Sequence, residues 1–184
     1  MNVQPTEILW QRGAQMAATF HRHQLRRDGA TPYIAHPLRV ALTIAQVFHE
    51  RDDTVLAAAL LHDVLEDTTC DYDDIEAVCG AEVASIVAAL TKDKRIPEDQ
   101  REEAYARQIA VSDWRARMIK LADVYDNLSD AAATNCGVNV WGRACDAIAA
   151  SRAEPRLEKA VAAVESLMEK LQDKRPMLDK SLRK

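Results

Sequence analysis

The sequence predicts an all-α fold, a single-domain helical bundle, and three observations carry that prediction. Only five glycines and six prolines punctuate 184 residues. Apolar positions recur at spacings of three and four rather than two, and Ala and Leu, both good helix formers, recur where β-branched alternation would mark strands. A chain of this length suits one domain, which can bury a substantial core without disulfides. That domain is expected over residues 1–172, with 173–184 as a polar tail.

The elements follow in order. A first helix is expected from Glu7 to Leu25, closed by the Asp28-Gly29 and Thr31-Pro32 turn signals. Pro37 fits the first position of the next helix, Pro37 to Glu50, where its missing N–H costs nothing, and His36 becomes the cap. Leu38, Ala41, Leu42, Ala45 and Phe48 form its apolar stripe. Thr54 to Asp67 reads as a core helix, apolar on nearly every side to Leu61. Glu82 to Thr91 is a further helix, followed by a charged loop over Lys92 to Gln100. Helices are expected around Glu98 to Ala110, from Trp114 to Ala131 and after Val138. A last one packs through Leu157, Val161, Val164, Leu167 and Leu171, with Pro155 near its start.

Composition excludes several functions. Lys+Arg 24 against Asp+Glu 29 gives a net charge of -5, whereas a general nucleic-acid binder needs a dominant cationic surface. The apolar runs Val55 to Leu61 and Val83 to Leu90 fall far short of a membrane span, and Met1 to Arg12 lacks a signal-peptide core. Cys70, Cys79, Cys136 and Cys145 form no Cys-x-x-Cys pair and read as reduced thiols, so the expected compartment is the cytoplasm.

Chemistry concentrates at the end of the core helix, His62-Asp63-Val64-Leu65-Glu66-Asp67. Carboxylates in a last helical turn oppose the helix dipole by roughly 0.3–1 kcal/mol each at exposed sites. A bound cation resolves that conflict, and local rule-breaking of this kind marks function. A solvated acidic helix end is the structural alternative.

The pattern becomes specific in combination: His21-x-x-Gln24-x-Arg26-Arg27, Pro32-Tyr33-Ile34-x-His36-Pro37, Ala58-Ala59-Leu60-Leu61-His62-Asp63-x-x-Glu66-Asp67-Thr68, Thr91-Lys92, Lys120-Leu121-Ala122-Asp123 and Asn127-Leu128. Over roughly residues 14–130 the chain resembles the HD-domain phosphohydrolases, above all the hydrolase domain of RelA/SpoT alarmone enzymes and the small stand-alone alarmone hydrolases. The resemblance implies metal ligands at His36, His62, Asp63 and Asp123, with manganese as the ion. Mixed nitrogen and oxygen ligation suits manganese, ferrous iron or a similar ion, and ligand chemistry alone does not choose. It implies a catalytic acidic pair at Glu66 and Asp67, in keeping with water activation and leaving-group protonation. It also implies substrate contacts at Arg26, Arg27, Asn127 and, through a Thr91-x-x-Lys94-x-x-Pro97 loop, Lys94.

Several of these residues have plainer readings. By spacing alone Lys120, Asp123, Asn127 and Asp130 line a solvated polar face. Arg26 and Arg27 could be a basic helix end, Lys94 a solvated loop residue, and His36 a cap. His21, His23 and His49 read as structural. Where many members carry a basic residue and a histidine after the aspartate, this chain has Val124-Tyr125-Asp126-Asn127, and Asp130 replaces a common threonine. Acidic Asp126 and Asp130 are therefore expected to bear on base choice.

The resemblance implies hydrolysis of the 3′-diphosphate of guanosine or adenosine alarmones, (p)ppGpp or (p)ppApp, with release of pyrophosphate. Reduced NADP is a further candidate substrate. The rivals are a 5′-deoxynucleotidase and a nucleotide-binding regulator without turnover. The expected partner is a small nucleotide, with no nucleic acid polymer and no membrane.

Overall fold

A computed structural model describes residues 8–134 and 139–178. The helices are α1 (Leu9–Phe20), α2 (Ala35–Gln46), α3 (Asp53–Leu61), α4 (Val64–Asp67), α5 (Tyr72–Cys79), α6 (Ala81–Leu90), α7 (Glu98–Ala110), α8 (Trp114–Thr134), α9 (Val140–Ser151), α10 (Glu158–Lys170) and α11 (Arg175–Leu178). Among the described residues the one extended pairing is an isolated bridge between Leu25 and Pro32. The all-α expectation holds, and no described helix is long and apolar enough to cross a membrane.

Helix α3 runs through the core. Asp52 caps it, accepting from the N–H groups of Thr54 and Val55 at 2.8 and 3.1 Å. Val55, Ala57, Ala58, Ala59, Leu60 and Leu61 are all buried, because α1, α2, α6 and α8 all pack against this helix. Small residues permit close approach: a Cβ added at Gly13 of α1 would lie 3.2 Å from the Ala57 Cα.

The expected helix Thr54 to Asp67 is in fact two. It stops at Leu61 and restarts as α4 after a turn at His62-Asp63. The cause is a side chain: His62 Nδ1 lies 2.8 Å from the Ala59 carbonyl, the acceptor that a continuing helix would offer to the Asp63 N–H. Glu66 and Asp67 thus sit in the first turn of α4. The dipole conflict expected of acids closing one long helix does not arise in that form.

Other boundaries also move. The first helix ends at Phe20, and residues beyond it run through turns to the Leu25–Pro32 bridge. Helix α2 begins at Ala35, so His36 is inside its first turn rather than a cap. Its buried face carries His36, Val40, Ala41 and Ile44, while Leu38 and Leu42 of the expected stripe are exposed. The stretch after Asp71, unassigned by periodicity, forms α5 behind a reciprocal capping box of Asp71 and Asp74. The expected polar tail is ordered over its first residues, since Lys174 Nζ donates to the Ala132 carbonyl at 2.7 Å and Leu178 is fully buried. Cys70 and Cys79 are buried free thiols, and burial pushes the Cys70 thiol up to about 12. Cys136 lies outside the described residues.

Candidate metal centre and substrate cleft

Three elements bring His36, His62 and Asp123 to one point, with Asp63 beside the two imidazoles. His36 comes from the first turn of α2, His62 and Asp63 from the turn between α3 and α4, and Asp123 from the middle of α8. His36, His62 and Asp123 present atoms that all lie within 4.8 Å of one another. Asp63 Oδ2 is 3.1 Å from His62 Nε2 and 3.5 Å from His36 Nε2, while Asp123 Oδ1 is 3.3 Å from His36 Nε2. The imidazoles are nearly sealed from solvent, at 1% and 4% exposed.

Hydrogen bonds on the far side of each ring set its direction. His62 Nδ1–H is assigned to the Ala59 carbonyl and His36 Nδ1–H to Asp126 Oδ2 at 2.7 Å. Both Nε2 lone pairs then face the carboxylates, the tautomer that metal-ligating histidines adopt. His62 Nε2 is buried and, although Asp63 Oδ2 is 3.1 Å away, makes no well-formed hydrogen bond, which is unfavourable unless something accepts its lone pair.

Electrostatics point the same way. Burial opposes charge on Asp63, but His62 and His36 outweigh it and hold the carboxyl well below its ordinary range. Burial likewise opposes charge on Asp123, and Lys120 and His36 override it. Burial disfavours a charged His36, yet Asp123, Asp126 and Asp63 raise it to about 9, so that without an ion a proton takes the Nε2 position that a cation would otherwise meet. The site therefore draws positive charge strongly. Two imidazole nitrogens and two carboxylates fit a first-row divalent cation.

Neighbours hold this set. The Tyr33 hydroxyl donates to Asp63 Oδ2 at 2.6 Å, Lys120 Nζ to Asp123 Oδ2 at 2.8 Å and Asn127 Nδ2 to Asp123 Oδ1 at 2.5 Å. Asn127, expected to touch substrate, here holds a carboxylate while also lining the cleft. His21 is buried at 2% exposed, with Nδ1 2.7 Å from Gln24 Oε1 and its ring against Tyr33, a structural placement as expected.

The centre opens into a cleft of about 320 Å³. Glu66 and Asp67 stand on one side, with Arg26, Arg27, Lys92, Lys120 and Arg143 around it. Glu66 Oε2 accepts from the Lys92 N–H at 3.2 Å, and its backbone carbonyl accepts from Lys94 Nζ. Lys94 thus braces α4 and does not line the cleft. Burial, then the charge of Asp63, raises the Asp67 carboxyl above its ordinary value. An adjoining cavity of about 70 Å³ shares Arg27, Lys120 and Asn127 and adds apolar Ile109, Val124, Val140 and Ala147.

Like Lys94, Asp126 and Arg26 are engaged elsewhere than expected. Asp126 does not reach the cleft: it is 5% exposed and bonded to His36 and Arg39. Arg26 is not an open guanidinium, because its Nη2 donates to Asp130 Oδ2 at 2.8 Å and it lies over the Tyr33 ring at 5.6 Å. Arg27 remains exposed at the cleft. Arg39, Tyr105 and Arg143 escaped the sequence reading. Lys120 was legible as the basic residue three before Asp123; nothing in the sequence signals Arg143, which α9 brings to the cleft.

Residues 13–143 match the HD domain family. The chain is 39% identical over 131 residues to a guanosine-3′,5′-bis(diphosphate) 3′-pyrophosphohydrolase of Danio rerio, covering 71% of this chain and 72% of that one. It is 41% identical over 117 residues to the Drosophila melanogaster protein of that name, covering 63% of this chain and spanning 65% of the relative's length. A solved metazoan ortholog of SpoT, described as hydrolysing ppGpp, superposes with a TM-score of 0.79 at 28% identity, covering 91% of this chain and 97% of its own.

Proposed function

Since the chain belongs to the HD-domain family, we propose that it is a divalent-metal hydrolase that removes the 3′-pyrophosphate from guanosine or adenosine alarmones, (p)ppGpp or (p)ppApp. The observation that carries this reading is the convergence of two Nε2 lone pairs and two carboxylates at the base of a cleft walled by an acidic pair and several cations. His36, His62, Asp63 and Asp123 are the ligands. Manganese is the proposed ion, on the donor set and the resemblance. The names of the relatives, which act on the guanosine compound, support the substrate.

A divalent ion held there supplies Lewis acidity and lowers the pKa of water. The chain's own residues do the rest. Arg27, Lys92 and Arg143 bind phosphate oxygens, where guanidinium groups give charge-assisted hydrogen bonds. Water attacks the phosphorus next to the ribose 3′-oxygen and the bond between them breaks, leaving pyrophosphate and a free 3′-hydroxyl. Of the acidic pair, one carboxylate takes the proton of the attacking water and the other delivers a proton to the departing 3′-oxygen. Buried free thiols at Cys70 and Cys79 support a reducing compartment, the cytoplasm.

Chromatography of products formed with manganese tests the reading, using guanosine and adenosine 3′-pyrophosphates, reduced NADP and deoxynucleoside monophosphates at equal concentration. Pyrophosphate from the first two is the expected result. Inorganic phosphate from the monophosphates alone would assign a 5′-deoxynucleotidase, and no product from any would leave a nucleotide-binding regulator.

A further inference from the structure

We propose that Asp126, held by Arg39, is the positioning residue for His36: it fixes the roll of the imidazole so that Nε2 meets the metal, and it makes that nitrogen a stronger ligand. This deepens the metal-centre reading above and rests on it.

The two histidines are supported differently. His62 donates to a neutral backbone carbonyl, whereas His36 donates to a carboxylate, Asp126 Oδ2, at 2.7 Å. A carboxylate on the far nitrogen raises ligand basicity and restricts ring rotation. An isolated carboxylate only 5% exposed would be costly to keep ionised. Arg39 removes that cost by a two-pronged grip, Nε to Oδ1 at 2.6 Å and Nη2 to Oδ2 at 2.9 Å. His36 and Arg39 together hold the Asp126 carboxyl below its ordinary range despite burial.

The arrangement is also a strut. His36 and Arg39 are one turn apart on α2, and Asp126 is on α8 one residue before Asn127, so a single carboxylate ties the two helices that carry His36 and Asp123. Arg39 Nη2 lies 3.5 Å from Asp130 Oδ1, and Asp130 in turn holds Arg26. None of Asp126, Arg39 and Asp130 lines the main cleft, so their effect reaches substrate through the ligand.

Titration calorimetry of Mn2+ into the metal-stripped full chain tests this. Asp126→Asn is expected to weaken Mn2+ binding by about 10–100-fold. Arg39→Ala should weaken it in the same direction, add little in the Asp126→Asn background because it acts through that carboxylate, and be only partly rescued by Arg39→Lys, which lacks the fork. At saturating Mn2+ the substrate KM should stay near that of the unaltered chain. Arg39 is 39% exposed in its side chain, so Arg39→Ala serves if Asp126→Asn fails to fold. Full Mn2+ affinity in both single variants, with only thermal stability lowered, would overturn the inference and leave the metal centre standing. An unaltered chain that binds no Mn2+, or a His62→Ala variant that binds as tightly, would overturn the metal-centre reading and the inference with it.

Discussion

Lys120 offers a direct measure of how much positive charge this site needs. Its ammonium donates to Asp123 Oδ2 at 2.8 Å and lies 5.1 Å from the Tyr105 ring centroid, and the two side chains of the ion pair are 14% and 13% exposed. Lys120→Met keeps the length and the apolar stem but leaves Asp123 with Asn127, His36 and, at 3.9 Å, His62. Removing one partner of a buried pair costs about 3–5 kcal/mol. The surviving contacts at 2.5 and 3.3 Å put this case at the low end. At about 2–4 °C per kcal/mol for a domain of this size, a loss of about 3 kcal/mol lowers Tm by about 6–12 °C.

Metal should reverse part of that loss. A divalent ion at the four ligands places positive charge beside the same carboxylate, and without the Lys120 ammonium it meets less repulsion. A ligand at 100 times its Kd stabilises the folded chain by about 2.7 kcal/mol. The increment should be larger for Lys120→Met at equal Mn2+, because the variant binds the ion more tightly. The assay is calorimetric melting of both proteins in chelator and in Mn2+. A variant melting within about 2 °C of the unaltered chain in chelator, or equal increments from Mn2+, would refute the argument that Lys120 and the ion share one carboxylate.

Glu66→Gln and Asp67→Asn should each lower turnover by about 10²–10⁴-fold with unchanged metal content by elemental analysis; near-normal rates would reduce both to ordinary surface acids. Arg27→Ala should cost about tenfold or more in kcat/KM, since a charge-assisted hydrogen bond is worth roughly 1.5–3 kcal/mol. Arg26→Ala should cost less, because Asp130 already engages that guanidinium, and steady-state kinetics would expose the opposite ranking. The Thr31 hydroxyl and the Thr31 and Ala30 N–H groups hold the exposed Asp28 carboxyl down to about 2, below its ordinary 3.8. Its contribution to the loop is therefore complete above pH 3.8 and lost as pH falls through about 2; an NMR titration with a midpoint near the ordinary value would contradict this. Gly13→Val, forcing a Cβ against Ala57, should cost about 1–3 kcal/mol in urea unfolding.

The fold was legible where one helix carries its own signals. Residues 98–110 and the start of α8 fall where charge, periodicity and turn residues put them. The α3–α4 break was hidden because neither Gly nor Pro makes it; a histidine side chain does, by reaching back to the Ala59 carbonyl. Helix α5 had a signal that periodicity passed over, the Asp71 and Asp74 capping box. The orientation of α2 could not be read from its own apolar stripe, because what it buries includes a histidine. Leu38 and Leu42 are left at the surface so that His36 can face α3 and α8.

The same reason explains why α8 misled. Read alone, Lys120, Asp123, Asn127 and Asp130 make a polar face that belongs in water. They face inward because other elements bring a counter-charge to each acid: His36 of α2 meets Asp123, which Lys120 of α8 also pairs, and Arg26 and Arg39 meet Asp130. Those Arg partners lie 104 and 91 residues away along the chain, a separation at which periodicity carries no information. Asp126 shows the limit most clearly. Its place in the sequence pattern marked it as a departure, and the natural expectation for an acid near a nucleotide cleft was an effect on the base. Its buried position, with His36 on one oxygen and Arg39 on both, turns it away from the cleft and onto a ligand. A residue type alone could not distinguish those roles, since both need a carboxylate; only the partner on the other helix decides which one it plays.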